Sequence, residues 1–354
     1  MLRILDFYIA RTLLSTIAIT LSVLVGLSAL IKFVEQLRRV GQGDYDMTVA
    51  ALYVFLSLPR EIELFLPMAT LLGGLIGMGL LAQSSELVVM QASGMSRANI
   101  TGSAMKSIVV VIIAMMAIGE FVTPQSESKA KELRTQALSG GSLLASDSVT
   151  WAKDGNDFVS IGNVLDQDTL QEIEVYQFDD ELNLTGIIKA ASADFSGNNW
   201  TMSDVNEMQF SESKISNRDV QSITWNSTLT PDKLGIVAIK PEALSIRGLI
   251  DYVNYLENNG QESARYELAL WRKIFQPISV GVMLLLAMSF IFGPLRSVTM
   301  GARTIMGVLA GFGFFISNEV FGQVSLVFQL VPAFGAILPS LVFALLSIYL
   351  LKRQ

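Results

Sequence analysis

No histidine occurs anywhere in this 354-residue chain, and no cysteine either. Without imidazole there is no Ser-His triad, no HExxH zinc site and no ordinary proton shuttle for neutral pH. Without thiols there is no disulfide framework, so the redox compartment leaves no trace in the sequence. The GxxxxGK[ST] pattern, whose backbone cradle and lysine hold nucleotide in P-loop ATPases, is missing as well. Transport powered by ATP would therefore take its ATPase from another subunit. Charge is scarce: 16% of residues are Asp, Glu, Lys or Arg, against 51% hydrophobic.

The apolar residues are concentrated in long runs. A hydrocarbon core about 30 Å thick needs roughly 20 residues of helix. Thr12 to Ile31, Leu64 to Ser85 and Ile274 to Leu295 carry no charge, and Ala98 to Gly119 carries only Lys106. Thr304 to Leu351 carries only Glu319 and is long enough for two helices that fold back near Gln329 to Pro332. Six spans result. The first run is too long and too dotted with Ser and Thr for a signal-peptide core, and reads as a retained helix.

The charges themselves are segregated. Residues 125 to 272 hold 23 acidic and 12 basic side chains, whereas the rest of the chain holds 9 and 13. An acidic, solvated domain is thus inserted between spans three and four. Arg3, Arg11, Arg97, Lys106, Arg296, Arg303, Lys352 and Arg353 fall on one side of the membrane, and the loop from Gly322 to Pro332 on the other side has no base. Because Lys and Arg near helix ends stay in the cytoplasm, both termini are expected inside and the acidic domain outside, in the periplasm of a cell with two membranes. The division is 1–123 for three spans, 124–265 for the β-rich domain with flanking helices, and 266–354 for three further spans.

WAKDGNDFVSIGNV, IEVYQFDDELNLTGIIKAASADFS and NNWTMSDVNEMQFSES alternate over short runs and are broken by turn signals, so the insert reads as all-β. A sandwich or jelly roll is expected, its interior either a packed core or a ligand groove. The stretch from Pro124 reads as a helix continuing out of span three. SIRGLIDYVNYLENNG reads as another, with Ser245 as N-cap, apolar Ile246, Leu249, Ile250, Val253 and Leu256, and Gly260 as stop.

Between spans two and three lies QSSELVVMQASGMSR, residues 83–97. Ser84 or Ser85 is a candidate cap, Glu86 stands where the helix dipole favours a carboxylate, and Gly94 is a natural stop. Leu87, Met90, Gln91 and Gly94 recur at spacings of three and four. Two readings stay open: an interfacial helix lying on the bilayer, or a docking helix that fits a groove in a cytoplasmic motor.

Lys32, Arg38, Arg39 and Arg60 sit on the outer side, against the positive-inside bias. Lys32 and Arg39 are seven apart and would share a helical face. An anionic headgroup would suit them, Lys as a point charge and Arg as a fork. The ordinary alternative is that Lys32 snorkels and Glu35 pairs with Arg39. Glycine-rich LLGGLIGMGLL and GVLAGFGFF permit close helix approach, or a hollow lined by Phe312, Phe315 and Ile316. Glu319 would pair with a base or face water, and Glu120 reads as a boundary residue.

SELVVMQASGMS, GGSLLA, WAKDGNDFV, LTPDKLG and SFIFGPLRSVTMG, in that order along the chain, resemble the lipopolysaccharide-export permeases of the LptF/LptG family. The resemblance implies an α-helical polytopic inner-membrane protein with a jelly-roll-like periplasmic domain. It also implies a half-permease that pairs with an LptF-type permease, sits on an LptB-type ATPase dimer that binds the ATP, and works with an LptC-type membrane-anchored protein. The chain would carry no cofactor and catalyse no covalent step. Its cargo would be lipopolysaccharide, held by Lys32, Arg38, Arg39 and Arg60 and by Phe312, Phe315 and Ile316. The helix with Glu86, Leu87, Met90 and Gly94 would be the one that couples to the ATPase. A permease for another lipidic cargo and a non-transporting scaffold are the rivals; the first gives no reason for the clustered outer bases, and the second predicts that Glu86 can be changed freely.

Overall fold

The computed structural model describes residues 4–139, 150–164, 168–196, 199–211, 214–231, 241–292 and 299–352. GGSLLA and the bases Arg3, Arg296 and Arg353 lie outside the described residues. Among the described residues, six helices are long and apolar enough to cross a membrane, in agreement with the hydropathy pattern.

Helices α1 (Ile4–Leu37) and α2 (Met47–Gln83) form an antiparallel hairpin. Asp46 caps α2, its carboxylate accepting from the Val49 amide at 2.8 Å and from the Thr48 hydroxyl at 2.7 Å. These bonds hold its pKa below the usual carboxylate range, the Thr48 hydroxyl contributing most. At about 1.5 Å per residue, the 37 residues of α2 outrun an apolar core of about 30 Å. Arg60 stands well inside α2, which begins at Met47. The α1–α2 contact is close because a Cβ at Gly73 would stand 2.6 Å from the Ile17 Cα, so only glycine fits. There the Thr16 hydroxyl donates to the Gly73 carbonyl at 2.8 Å. Close packing is thus the use of the span-two glycines.

A short helix, α3 (Glu86–Ala92), turns the chain into α4 (Arg97–Ala117), which passes through a π-turn at Ile118–Val122 into α5 (Thr123–Ser139). Pro124 lacks an amide and crowds the preceding turn, which is a local reason for the register slip. The expected helix beyond span three is therefore its continuation.

Strands β1 (Thr150–Asp154), β2 (Asp157–Val164), β3 (Thr169–Phe178), β4 (Leu184–Ser196), β5 (Asn199–Ser211) and β6 (Lys214–Trp225) make one antiparallel sheet in chain order. The insert is all-β, as expected; the Greek-key crossings that define a jelly roll are not among its described strands. Short turns force neighbour to pair with neighbour. Asp179 fixes one of them by accepting from the Glu181 and Asn183 amides at 2.9 and 2.8 Å. One face is filled by Val159, Ile161, Ile173, Val175, Met202 and Trp200, the last donating its indole N–H to the Leu229 carbonyl at 2.6 Å. That face carries a packed core. Strand β6 is exposed apart from Trp225 and a few half-buried positions.

Helix α6 (Ile246–Asn258) lays Tyr252, Tyr255 and Leu256 onto the same core. The Ser245 hydroxyl accepts from the Gly248 amide at 3.0 Å, and Gly260 follows the helix at φ +62°, so both predicted signals act as read. Ile250 departs from the expectation and is exposed, because Tyr252 and Tyr255 take the buried face instead. The Tyr255 hydroxyl donates to the Lys153 carbonyl at 2.7 Å, and burial pushes its pKa up to about 12. The chain then re-enters the bundle as α7 (Ala264–Phe292), α8 (Met300–Val327) and α9 (Pro332–Lys352), with the fold-back at Gln329 and Pro332 where it was read.

Candidate functional site

Of the four bases expected on the outer side, Lys32 and Arg60 pair with carboxylates, and Arg38 and Arg39 lie just beyond the end of α1. The Lys32 ammonium is 2.6 Å from a Glu61 carboxylate oxygen, and the Ser28 hydroxyl donates to the other oxygen at 2.5 Å. The Glu61 side chain is 7% exposed and that of Lys32 26%. Arg60 lies 3.6 Å from both Glu127 of α5 and Glu242 before α6. The second Glu127 oxygen is buried and has no hydrogen-bond partner among the described residues.

Arg38 and Arg39 are placed differently from the sequence expectation. Helix α1 stops at Leu37, and the Arg39 amide donates to the Gln36 carbonyl in a turn at 2.9 Å. The seven-residue spacing to Lys32 therefore does not put Arg39 on its helical face, and Glu35 makes no ion pair with Arg39 among the described residues. Both arginines are exposed beyond the helix end. Arg134 of α5 joins this end of the bundle, its guanidinium 5.3 Å from the centre of the Tyr53 ring.

Two residues along α2 from Glu61, Glu63 faces the opposite way. Its carboxylate is 3.5 Å from the Lys273 ammonium of α7 and accepts from the Thr123 hydroxyl. Lys273 also donates to the Gly119 and Leu244 carbonyls at 2.9 and 2.6 Å. Gln276 donates to the Glu63 carbonyl at 2.8 Å. Glu120, read from sequence as a boundary residue, accepts from the Ile246 amide at 2.8 Å and so caps the positive end of α6. One lysine and two carboxylates thereby join α2, the π-turn, α6 and α7. Glu319 pairs with Arg272 at 3.4 Å and is half-exposed, so both halves of its expectation hold.

At the opposite end, α3 has Glu86 in its first turn and ends where read, Gly94 following at φ +95°. Neither serine caps it. Ser85 has φ +61° with no capping bond, and the Ser84 hydroxyl reaches back to the Leu80 carbonyl and to Glu86, at 3.1 and 2.9 Å. Leu87 and Met90 are buried in the chain's own bundle core, so the spacing found the face that α3 presents inward. The face left open is Val88 and Val89, 55% and 66% exposed, with Ala92. Sequence periodicity marks an apolar stripe without saying which partner buries it.

On α8, Gly307 and Gly311 face α2, where a Cβ at Gly307 would stand 2.4 Å from Leu75. Phe312, Phe315 and Ile316 are consequently directed away from the core, each roughly half-exposed. Glycine and aromatic residues thus divide α8 into a packing face and a free apolar face.

A helical bundle with paired bases at one end, a short helix at the other and a β insert is also the subject of known sequences. The family model described as "Lipopolysaccharide export system permease LptF/LptG" matches residues 7–353. The lipopolysaccharide export system permease protein LptG of Escherichia coli (strain K12) is 49% identical over 354 residues, covering 99% of this chain and 98% of that protein. LptG of Haemophilus influenzae (strain ATCC 51907 / DSM 11121 / KW20 / Rd) is 47% identical over 356 residues, covering 100% and 99%. Matches of that length and identity show that the chain belongs to the LptF/LptG family of lipopolysaccharide export system permeases.

Proposed function

We propose that this chain is the LptG-type half of a lipopolysaccharide exporter in the bacterial inner membrane, with the sheet in the periplasm and α3 in the cytoplasm. It pairs with an LptF-type permease and stands on an LptB-type ATPase dimer, which binds and hydrolyses ATP. An LptC-type protein receives the cargo at the sheet. The observation that carries this reading is the length of α2: one helix of 37 residues, Met47–Gln83, carries Arg60 and Glu61 and ends within three residues of α3.

Lipid enters laterally from the outer leaflet. Its phosphates meet Lys32, Arg38, Arg39 and Arg60, and its acyl chains lie along Phe312, Phe315 and Ile316 of α8. Nucleotide-driven closure of the ATPase pushes on α3 through Glu86 and the Val88–Val89 face. Because Leu87 and Met90 are locked into the bundle core, α3 moves together with α2 and α4, and the chamber narrows. The lipid then passes to the β domain and on toward the outer membrane. The bases serve binding and orientation only; no bond is made or broken by this chain.

The test is ATP-driven lipopolysaccharide release from proteoliposomes holding the whole complex, with Glu86 intact or changed to Ala. Loss of both ATPase co-purification and release supports the reading. Full binding and release with Glu86→Ala and Val89→Asp together would overturn the role given to α3.

A further inference from the structure

The Lys32 ammonium has a partner already, and that partner is inside the protein. Ser28 and Lys32 lie four residues apart on one face of α1 and occupy both oxygens of the same carboxylate, Glu61, at 2.5 and 2.6 Å. The carboxylate is buried and fixed on α2, while the lysine is about a quarter exposed on a flexible four-carbon stem. An anion arriving from outside can reach the ammonium, but it cannot reach or displace Glu61 itself.

We propose that Glu61 is an internal counter-ion that competes with the lipid phosphate for Lys32. In the empty chamber Glu61 neutralises the lysine, so neither charge is left bare in an apolar surrounding. When the lipid arrives, the ammonium swings from carboxylate to phosphate, and Glu61 keeps the Ser28 hydroxyl. When the chamber closes, the carboxylate takes the lysine back and the phosphate is freed. Glu61 thus trades affinity for turnover. Arg60 is arranged alike, with Glu127 and Glu242 at 3.6 Å. This rests on the reading of Lys32 as a lipid-phosphate contact.

The experiment is a double-mutant cycle on the full complex in nanodiscs, with equilibrium lipopolysaccharide binding and ATP-driven release measured for wild type, Glu61→Gln, Lys32→Gln and the double variant. Removing the competitor raises affinity about two- to fivefold, the range of a partly exposed ion pair, and slows release. The gain disappears in the Lys32→Gln background and with a lipid A probe stripped of its phosphates. If Lys32→Gln weakens binding while Glu61→Gln lowers it or leaves it unchanged, the competition is refuted and Glu61 is only a structural partner. If Lys32→Gln leaves binding unchanged, the phosphate contact itself fails, and the proposal falls with it. Should Glu61→Gln not assemble, Glu61→Asp, which keeps the charge but draws it back by one methylene, carries the same test and shifts affinity in the same direction.

Discussion

Lys273 and Glu63 face each other at 3.5 Å, and the same ammonium donates to the carbonyls of Gly119 and Leu244. One side chain therefore ties the transmembrane bundle to the segment that leads into α6. Lys273→Met would leave the Glu63 carboxylate buried without its cation. A loss of about 3–5 kcal/mol is expected, read as a lower unfolding temperature in detergent, with Glu63→Gln partly restoring it in the double variant. Equal stability of Lys273→Met and wild type would remove this joint from the account.

The two faces of α3 separate stability from docking. Leu87→Asp and Met90→Asp place a charge in the bundle core and are expected to abolish folding. Val89→Asp sits on the open face and should leave the melting temperature unchanged while reducing ATPase co-purification. Binding assays on purified variants distinguish the two, and an intact complex with Val89→Asp would assign the contact to Glu86 alone.

Glycine tolerance should differ sharply between α1 and α2. Gly73→Ala drives a Cβ to within 2.6 Å of the Ile17 backbone, whereas a Cβ at Gly26 meets nothing within 4 Å. The first substitution should cost about 1–3 kcal/mol, as overpacking does. Gly26→Ala should be neutral or stabilising by up to about 1 kcal/mol, from helix propensity. Thermal unfolding of the two single variants measures the contrast.

In the sheet, Lys189 on β4 stands 2.7 Å from Glu174 on β3, and the Tyr176 hydroxyl donates to the same carboxylate at 2.6 Å. The Lys189 hydrogen bond, then the Tyr176 one, holds the Glu174 pKa low, and Glu174 in turn raises that of Lys189. The depressed carboxylate contributes stability above its unfolded pKa and loses it as the pH falls through the folded one. The raised lysine contributes below its unfolded pKa and loses it as the pH rises through the folded one. The pair is therefore expected to add under about 1 kcal/mol across the neutral range and nothing at either extreme. Stability of Lys189→Ala against pH, compared with wild type, should show a gap that closes in acid and in strong base.

The elements were largely legible because their signals are local. Apolar runs located the spans, Ser245 and Gly260 bracketed α6, and Gly94 ended α3. Cap assignments at Ser84 and Ser85 failed because the dense turn after α2 put Ser85 at positive φ and drew the Ser84 hydroxyl back onto α2. The face carrying Arg39 failed because α1 stops at Leu37, four residues before Gly41, the first glycine that could mark its end.

By itself, the sequence determined that this protein crosses a membrane and where along the chain its acidic β insert falls, since hydropathy, charge balance and capping are properties of short stretches. Only the tertiary structure decided which carboxylate meets which base. Glu61, Glu63 and Glu127 look alike in sequence, yet each pairs with a different base, because a buried charge takes its counter-ion from whichever helix the fold brings within a few ångströms. The same reason turned Leu87 and Met90 inward. An apolar stripe is written in one helix, but what covers it depends on all the others.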